Sequence, residues 1–303
     1  MLAKSVADIK ALQIEKADMI RSRLDCLSII EADTKTTREL IETLNTSTNQ
    51  SLQRHAISAW LSRLDYSDRH RQVTQSREKD TGQWILDHPT FLDWAHGSHQ
   101  ILVCAGDPGV GKTVTTSAVI NSLLREFKED PTVAVAYVYP SEQFKDKESS
   151  VELLGSLILQ LSAKLDKIPT DLQEAFEDHS KGQEPLNQED ASVLLASMAS
   201  KFAQVYIAFD ALDECSSRDD FLNMLQSLTP LHKLWITSRP FAMKDYSMFD
   251  GALHLSVSAA DADIVQYVKA RAAKSPKLKR YLEQYPLLLS KMQANVLRKA
   301  NGV

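Results

Sequence analysis

The sequence is poor in glycine and cysteine. Only nine glycines and three cysteines occur among 303 residues, and residues 1–64 contain neither glycine nor proline. Cys26, Cys104 and Cys215 lie far apart without a CxxC pair, which argues against a zinc site or a disulfide framework. Isolated thiols of this kind are typical of a reducing compartment, so we expect a cytoplasmic protein.

The chain also lacks a long apolar run. Residues 1–20 alternate charged with apolar residues, unlike a signal peptide, and the stretch VELLGSLILQLSAKL is too short and too interrupted by charge to cross a bilayer. The net charge is −5 and no lysine or arginine run stands out. Neither nucleic acid nor a membrane is therefore an expected partner.

The first hundred residues predict helices. Apolar residues recur at helical spacing over residues 1–64, which we interpret as a helical N-terminal arm. The polar stretch NTSTNQS, residues 45–51, predicts a turn between two helices, because its side chains compete for backbone hydrogen bonds. Residues 65–99 predict a linker and lead-in helices, interrupted at Pro89, with Trp84, Phe91 and Trp94 as core aromatics.

From residue 100 onward, short apolar runs alternate with helical stretches. The runs are ILVCA, VAVAYVY, VYIAFD, LWITS and LHLSV. Runs this apolar suit strands that are buried on both faces. The alternation predicts an α/β fold with a central parallel sheet flanked by helices over residues 100–258, and a helical segment over residues 259–303.

Three of the nine glycines fall within GDPGVGKT, between the first predicted strand and a predicted helix. This stretch fits G-x-x-x-x-G-K-[ST], a phosphate-binding loop, and the strand–loop–helix context is the one that the motif requires. Glycine allows the loop to wrap phosphate with its amide groups inward, and the helix adds the positive end of its dipole. We expect Lys112 to span the β- and γ-phosphates and the Thr113 hydroxyl to bind Mg²⁺. The expected nucleotide-binding residues are Gly106, Asp107, Pro108, Gly109, Val110, Gly111, Lys112, Thr113 and Val114.

Two later stretches complete the predicted nucleotide site. Asp210 ends the apolar strand in VYIAFDALDE, where a carboxylate can hold Mg²⁺ through water, and either Asp213 or Glu214 is suited to orient an attacking water. Arg239 follows the strand in KLWITSRP. Because ligands bind at the carboxyl ends of parallel strands, Arg239 is a candidate sensor of the γ-phosphate.

The three stretches in this order resemble the NACHT domains of STAND-class signalling ATPases, especially the nephrocystin-3-like proteins of filamentous fungi. WLSRLDYSDRH, TGQWILDHPTFLDW and LHLSVSAADADIVQYVKARA extend the resemblance over residues 58–303. It implies that Asp210, Asp213, Glu214 and Arg239 handle the nucleotide together with the GDPGVGKT loop. It also implies that the strand bearing Arg239 lies between the strands that precede the loop and Asp210.

The resemblance further implies regions that this sequence lacks. Family members continue into a winged-helix region and usually a repeat array, so we expect a truncated member whose protein partners bind the arm or those missing repeats. Activation by homo-oligomerisation is a further expectation. Without the winged-helix region we expect the nucleotide to be held from one side only, and the chain to purify largely nucleotide-free.

The leading hypothesis is a switch that binds ATP and Mg²⁺, hydrolyses ATP slowly and acts in signalling such as non-self recognition or programmed cell death. One alternative is an interaction module with a degenerate nucleotide site. A small-molecule kinase is a less favoured alternative, because such kinases need a mobile lid with several arginines and only Arg239 stands near a predicted strand end. The sequence has no [NT]-K-x-D motif, the one that recognises guanine, after the strand that ends at Asp210. The identity of the base is nevertheless left open between ATP and GTP. By analogy with the family, residues 77–84 contribute to the base pocket.

Overall fold

The structure of the protein is a computed structural model. It describes residues 48–300, except 79–80, 142–146, 183, 227–231, 241–248 and 259; before residue 48 it describes residues 16, 19, 21–23, 35, 37–41 and 43–44. The chain divides into two compact units, Met1–Ala56 and Ile57–Val303. The predicted domain boundaries at residues 64, 99 and 258 stay predictions.

The described residues of the first unit are all helical. The turn predicted at residues 45–51 is wrong for residues 48–51, which are helical; residues 45–47 lie outside the described residues. The Thr48 hydroxyl donates to the Leu44 carbonyl at 2.8 Å. A threonine side chain that bonds the carbonyl four residues back is compatible with a continuing helix, which explains the failure of the turn signal.

The second unit alternates helices and strands. After a helix that ends at residue 61, the helices are α1 (Tyr66–Ser76), α2 (Gln83–Leu86), α3 (Pro89–His96), α4 (Lys112–Glu126), α5 (Ser150–Ala163), α6 (Thr170–Gly182), α7 (Gln188–Ala199), α8 (Arg218–Gln226), α9 (Asp261–Lys274), α10 (Pro276–Gln284) and α11 (Leu288–Ala300). The strands are β1 (Ile101–Ala105), β2 (Val133–Val138), β3 (Gln204–Phe209), β4 (Lys233–Ser238) and β5 (Leu253–Ser256). Within the described part of the chain, no helix is both long enough and apolar enough to pass through a bilayer.

The five strands form one parallel sheet in the order β2-β3-β4-β1-β5. All five predicted strands are confirmed. Strand β4 lies between β1 and β3, as the family resemblance implied, and all six of its residues are buried. The carboxyl ends of β1, β3 and β4 are therefore adjacent, and these are the ends that carry the predicted site residues.

The core of this unit is rich in aromatic side chains. Trp94 and Trp235 are fully buried, and their ring centroids are 5.9 Å apart. Phe91 is also buried and lies against both rings, whereas Trp84 is half-buried at the margin of the same core. Helix α3 begins at Pro89, whose fixed φ suits the first helical position. The aromatics on α3 thus fix the lead-in segment to strand β4.

A buried lysine holds the other end of helix α3. The Lys233 ammonium donates to the carbonyls of Trp94, Gly97 and His99 at 2.7, 2.8 and 3.0 Å. Carbonyls at the end of a helix lack partners within the helix and carry partial negative charge. The first residue of β4 therefore caps α3, although burial lowers the pKa of Lys233.

Candidate nucleotide-binding site

The loop between β1 and α4 has a backbone shape that favours glycine. Gly109 and Gly111 have φ values of 83° and 98°, in the left-handed region. An added Cβ would meet no atom within 4 Å at either position, so the requirement is backbone conformation and not space. The loop turns sharply into α4 with its amide groups at the start of the helix, which is the arrangement that binds phosphate.

Gly106 is required for a different reason. A Cβ at this position would lie 2.5 Å from the Val257 carbonyl oxygen and 2.9 Å from Val110 Cγ2. The Gly106 amide donates to the Ser238 carbonyl at 3.1 Å, and the Val257 amide donates to the Ala105 carbonyl at 2.7 Å. The beginning of the loop is thus packed between the ends of β4 and β5.

Lys112 is the first residue of α4, and its side chain turns back over the loop. Its ammonium donates to the carbonyls of Gly106 and Asp107 at 2.7 and 3.1 Å. The positive charge is therefore held at the mouth of the loop and not on the outer surface of the helix. This position suits a lysine that binds phosphate.

Asp210 directly follows β3 and is 3% exposed. Its Oδ1 accepts hydrogen bonds from the hydroxyls of Thr116 and Thr237 at 2.8 and 2.7 Å. Burial raises the pKa of Asp210, while hydrogen bonds from Thr113, Thr237 and Thr116 and the charge of Lys112 oppose the rise. The loop residues Lys112 and Thr113 and the carboxylate that ends β3 therefore meet at one place.

Asp213 and Arg239 form a second pair at this edge of the sheet. Arg239 Nε lies 2.9 Å from Asp213 Oδ2, and the Arg239 amide donates to Asp213 Oδ1 at 3.0 Å. The Asp213 side chain is 10% exposed and that of Arg239 is 50% exposed. Both oxygens of Asp213 are thus bonded to Arg239, an arrangement that suits Asp213 to holding the arginine.

Glu214 ends the short 3₁₀ turn Leu212–Glu214, and its amide donates to the Ala211 carbonyl at 2.9 Å. The carboxylate acts electrostatically on Glu148, a buried residue that precedes α5. Burial raises the pKa of Glu148, and the charge of Glu214 adds to the rise. Of the two carboxylates that the sequence left open, Asp213 is the one whose two oxygens are bonded to Arg239.

A cavity of about 330 Å³ adjoins the loop and has two walls. One wall consists of the loop, the start of α4 and residues 76–78, 81, 82 and 84. The other wall consists of Ser258, Ala260 and residues of α9 and α11, including Tyr267 and Val296. Two contacts connect the walls. The Lys274 ammonium donates to Glu78 Oε1 at 2.6 Å and to Glu78 Oε2 at 2.8 Å, and the Gly82 amide donates to Asp263 Oδ2 at 2.8 Å. Residues of α9 and α11 thus line the cavity across from Glu78 and Gly82, while the expectation that the nucleotide is held from one side only stays a prediction.

Sequence reasoning missed the two threonines that hold Asp210 and the lysine that links the walls. Thr237 was detectable in principle, since it is a polar residue inside the apolar run LWITS, two positions before Arg239. Thr116 lies among other small polar residues of α4, and Lys274 is 196 residues from its partner Glu78. No local pattern distinguishes the last two.

The residues present fit a nucleotide with Mg²⁺. Magnesium prefers oxygen ligands and is usually bound by one or two carboxylates together with substrate phosphates and water. Thr113 and Asp210 offer such oxygens beside a loop that is shaped for phosphate. Among the described residues, no group of three or more His, Cys, Asp or Glu side chains could hold a metal ion.

A parallel sheet with a glycine loop after β1 and a buried carboxylate after β3 is the fold of a P-loop NTPase. Within that class, the chain belongs to the family described as nephrocystin 3, N-terminal. The family model matches residues 80–239, more than half of the chain, from the segment before β1 to Arg239. No curated protein matches the sequence.

Three solved structures are similar to parts of this chain. C. elegans PCH-2 is 14% identical with a TM-score of 0.34 and covers 66% of this chain. Drosophila ORC bound to DNA is 17% identical with a TM-score of 0.34 and covers 64%. The E. coli MS115-1 HORMA:CdnC:Trip13 complex is 15% identical with a TM-score of 0.32, covering 73% of this chain and 72% of its own. This chain spans 45% and 47% of the length of the first two.

Proposed function

We propose that this chain binds ATP or ADP together with Mg²⁺, hydrolyses ATP slowly and acts as a nucleotide-dependent switch of the STAND type. The observation that carries the proposal is the meeting of Lys112 and Thr113 with Asp210 at the carboxyl edge of the sheet. A loop without a ligand has no need of a buried carboxylate beside its lysine and hydroxyl. A phosphate chain with a divalent cation needs all three groups.

Each residue has a defined part in the proposed site. Lys112 exchanges its contacts with the Gly106 and Asp107 carbonyls for phosphate oxygens, and the amide groups of the loop bind the remaining phosphate charge. Thr113 and Asp210 are the residues that would hold Mg²⁺, which supplies neutralisation of phosphate charge when bound. Glu214 orients water, and Arg239, fixed by Asp213, detects the γ-phosphate.

The two-walled cavity is the proposed position of the base and ribose. It begins at the loop, and its lining includes Arg77 and Trp84. The family analogy gives residues 77–84 to the base pocket, which supports this placement. Its lining combines apolar side chains, such as Trp84 and Ile264, with polar groups, such as Thr81 and Ser258. ATP is the proposed nucleotide, and GTP is the competitor for a binding measurement.

The biological setting is proposed from the family resemblance. It comprises a cytoplasmic fungal signalling protein, homo-oligomerisation on activation, partners bound through the helical arm or C-terminal repeats, and a role in non-self recognition or programmed cell death. Cys104 and Cys215, the described cysteines, are buried free thiols, which suits a reducing compartment.

Lys112→Ala tests the nucleotide site. We expect this substitution to abolish binding of ATP with Mg²⁺, because it removes the ammonium that binds phosphate. We expect the fold to be retained, because the ammonium contacts the loop and not the core. Calorimetry compares it with the wild type and with Lys128→Ala, which removes an exposed charge just after the same helix. Equal affinities for all three proteins would remove the phosphate-loop assignment and favour the interaction module.

A further inference from the structure

Two threonine hydroxyls have their protons directed onto one oxygen of Asp210. Thr237 Oγ1 accepts a hydrogen bond from the Ala211 amide at 2.8 Å, and Thr116 Oγ1 accepts one from the Trp235 indole at 3.1 Å. Amide and indole N–H groups can only donate. Because each hydroxyl oxygen already accepts from such a donor, its own proton is left for Asp210 Oδ1, at 2.7 Å from Thr237 and 2.8 Å from Thr116.

The three residues come from three different elements and are all buried. Thr116 of α4 and Thr237 of β4 are 0% exposed, and Asp210 after β3 is 3% exposed. Hydrogen bonds to a carboxylate are stronger than those between neutral groups, so two on the same oxygen fix the orientation of the Asp210 carboxylate. The Asp210 side chain is therefore held by the sheet and by the helix of the phosphate loop at once.

Simple packing does not account for these hydroxyls. A valine has nearly the shape of threonine and would avoid burying a polar group, so a purely apolar role would favour valine at both positions. Each hydroxyl instead connects a donor-only group to Asp210. The pattern matches that of residues that orient metal ligands through hydrogen bonds.

We infer that Thr116 and Thr237 are positioning residues that orient the Asp210 carboxylate for Mg²⁺. The inference rests on the proposed function and deepens it, because it assigns control of metal affinity to residues outside the phosphate loop. Thr237 carries the larger share, since it also bonds the Ala211 amide and so fixes the start of the turn that follows Asp210. Removing its hydroxyl frees the carboxylate and the turn together.

The test separates metal affinity from nucleotide affinity. A fluorescent N-methylanthraniloyl-ADP is bound to each protein first in EDTA and then during a Mg²⁺ titration. For Thr237→Val we expect an unchanged affinity for the fluorescent ADP in EDTA. We also expect a rise of about tenfold or more in the Mg²⁺ concentration at which half of the Mg²⁺-dependent change in ADP binding has occurred. Thr116→Val shifts the same midpoint, and Thr237→Ser restores the wild-type value because serine keeps the hydroxyl.

Thr74→Val is the matched control. The Thr74 hydroxyl also bonds residues of α4, Ser117 at 3.0 Å and Asn121 at 3.0 Å. Thr74→Val therefore makes the same change of side chain as Thr116→Val and Thr237→Val, but away from Asp210. A normal Mg²⁺ midpoint for both Thr237→Val and Thr116→Val overturns the inference, as does an equal loss of affinity in EDTA and in Mg²⁺. If Thr237→Val does not fold, Thr116→Val and Thr237→Ser decide. A wild type that binds no nucleotide in either condition contradicts the proposed function itself, and the positioning role with it.

Discussion

At the scale of single residues, the turn after Asp210 is under backbone strain. Ala211 has φ 56° and ψ 60°, and it is the one non-glycine residue with positive φ among the described residues. This conformation costs an alanine about 1–2 kcal/mol. Hydrogen bonds offset the cost, since the Ala211 amide donates to Thr237 and its carbonyl accepts from Glu214. The strained residue turns the chain from Asp210 toward Asp213 and Glu214, and strained residues of this kind cluster at functional sites.

Glu214→Gln separates nucleotide binding from hydrolysis. We expect the affinity for ATP to be retained, because Asp210 and the phosphate loop are intact, and kcat to fall by about a hundredfold, because an orienting base is lost. Phosphate release under saturating ATP measures kcat, and calorimetry measures the affinity.

Asp213→Asn serves as the comparison for Glu214→Gln. It weakens the bond to Arg239 and leaves Glu214 in place. If Glu214→Gln turns over normally while Asp213→Asn does not, Asp213 is the water-orienting carboxylate and our assignment of Glu214 is wrong.

At the scale of elements, the cap that β4 provides for α3 predicts a stability effect. Lys233→Met keeps the length of the side chain but leaves the carbonyls of Trp94, Gly97 and His99 without their donor. A buried acceptor left unsatisfied costs about 1–3 kcal/mol, so we expect a loss of about 2 kcal/mol in the free energy of unfolding. Urea unfolding followed by tryptophan fluorescence measures it.

Lys164→Met is the control for the cap. Lys164 is exposed, and its ammonium reaches a single carbonyl, that of Lys128, at 3.4 Å. We expect a change within about 0.5 kcal/mol for this surface substitution. If the two variants unfold at the same urea concentration, the three bonds of Lys233 do not stabilise α3.

The strands and the phosphate loop were predictable because their signals are local. Apolar runs mark strands that are buried on both faces, and the spacing from Gly106 to Thr113 marks the loop. The position of β4 between β1 and β3 followed from the family resemblance and not from any pattern in the strands. The second wall of the cavity could not be predicted, because the attraction between Glu78 and Lys274 depends on proximity that the fold creates and not on sequence spacing.

At the scale of the second unit, the segment before β1 and the helices after β5 form one cavity. The Glu78 side chain is 8% exposed in its contact with Lys274, and Asp263 accepts from the backbone of Gly82. The two contacts join Glu78 and Gly82 to α9. They therefore connect the part of the chain that precedes the sheet with the part that follows it, directly beside the proposed nucleotide.

A charge exchange tests whether this connection retains nucleotide. Lys274→Glu places two carboxylates together, and we expect release of fluorescent ADP to be about fivefold faster, on the order of 1 kcal/mol. The double variant Glu78→Lys with Lys274→Glu restores the pair and the slow release. Stopped-flow displacement measures the rates.

Lys269→Glu is the control for the charge exchange. It changes net charge equally at an exposed position of α9. Equal release rates for the wild type and Lys274→Glu would mean that the contact between Glu78 and Lys274 does not retain the nucleotide. Release from Lys269→Glu that is as fast as release from Lys274→Glu would assign the effect to net charge alone.

The close approach of Gly106 to the Val257 carbonyl bears on the choice of a loss-of-function variant. A side chain at Gly106 would push on the backbone that leads from β5 into α9, so it would damage the phosphate loop and the opposite wall of the cavity in a single step. The Lys112 ammonium, in contrast, donates to two carbonyls of its own loop. In a cell, a defect caused by substituting Gly106 would therefore combine instability with loss of nucleotide, whereas one caused by Lys112→Ala would report on nucleotide alone. A genetic study that treats the two lesions as interchangeable would assign to loss of nucleotide binding what belongs to protein abundance.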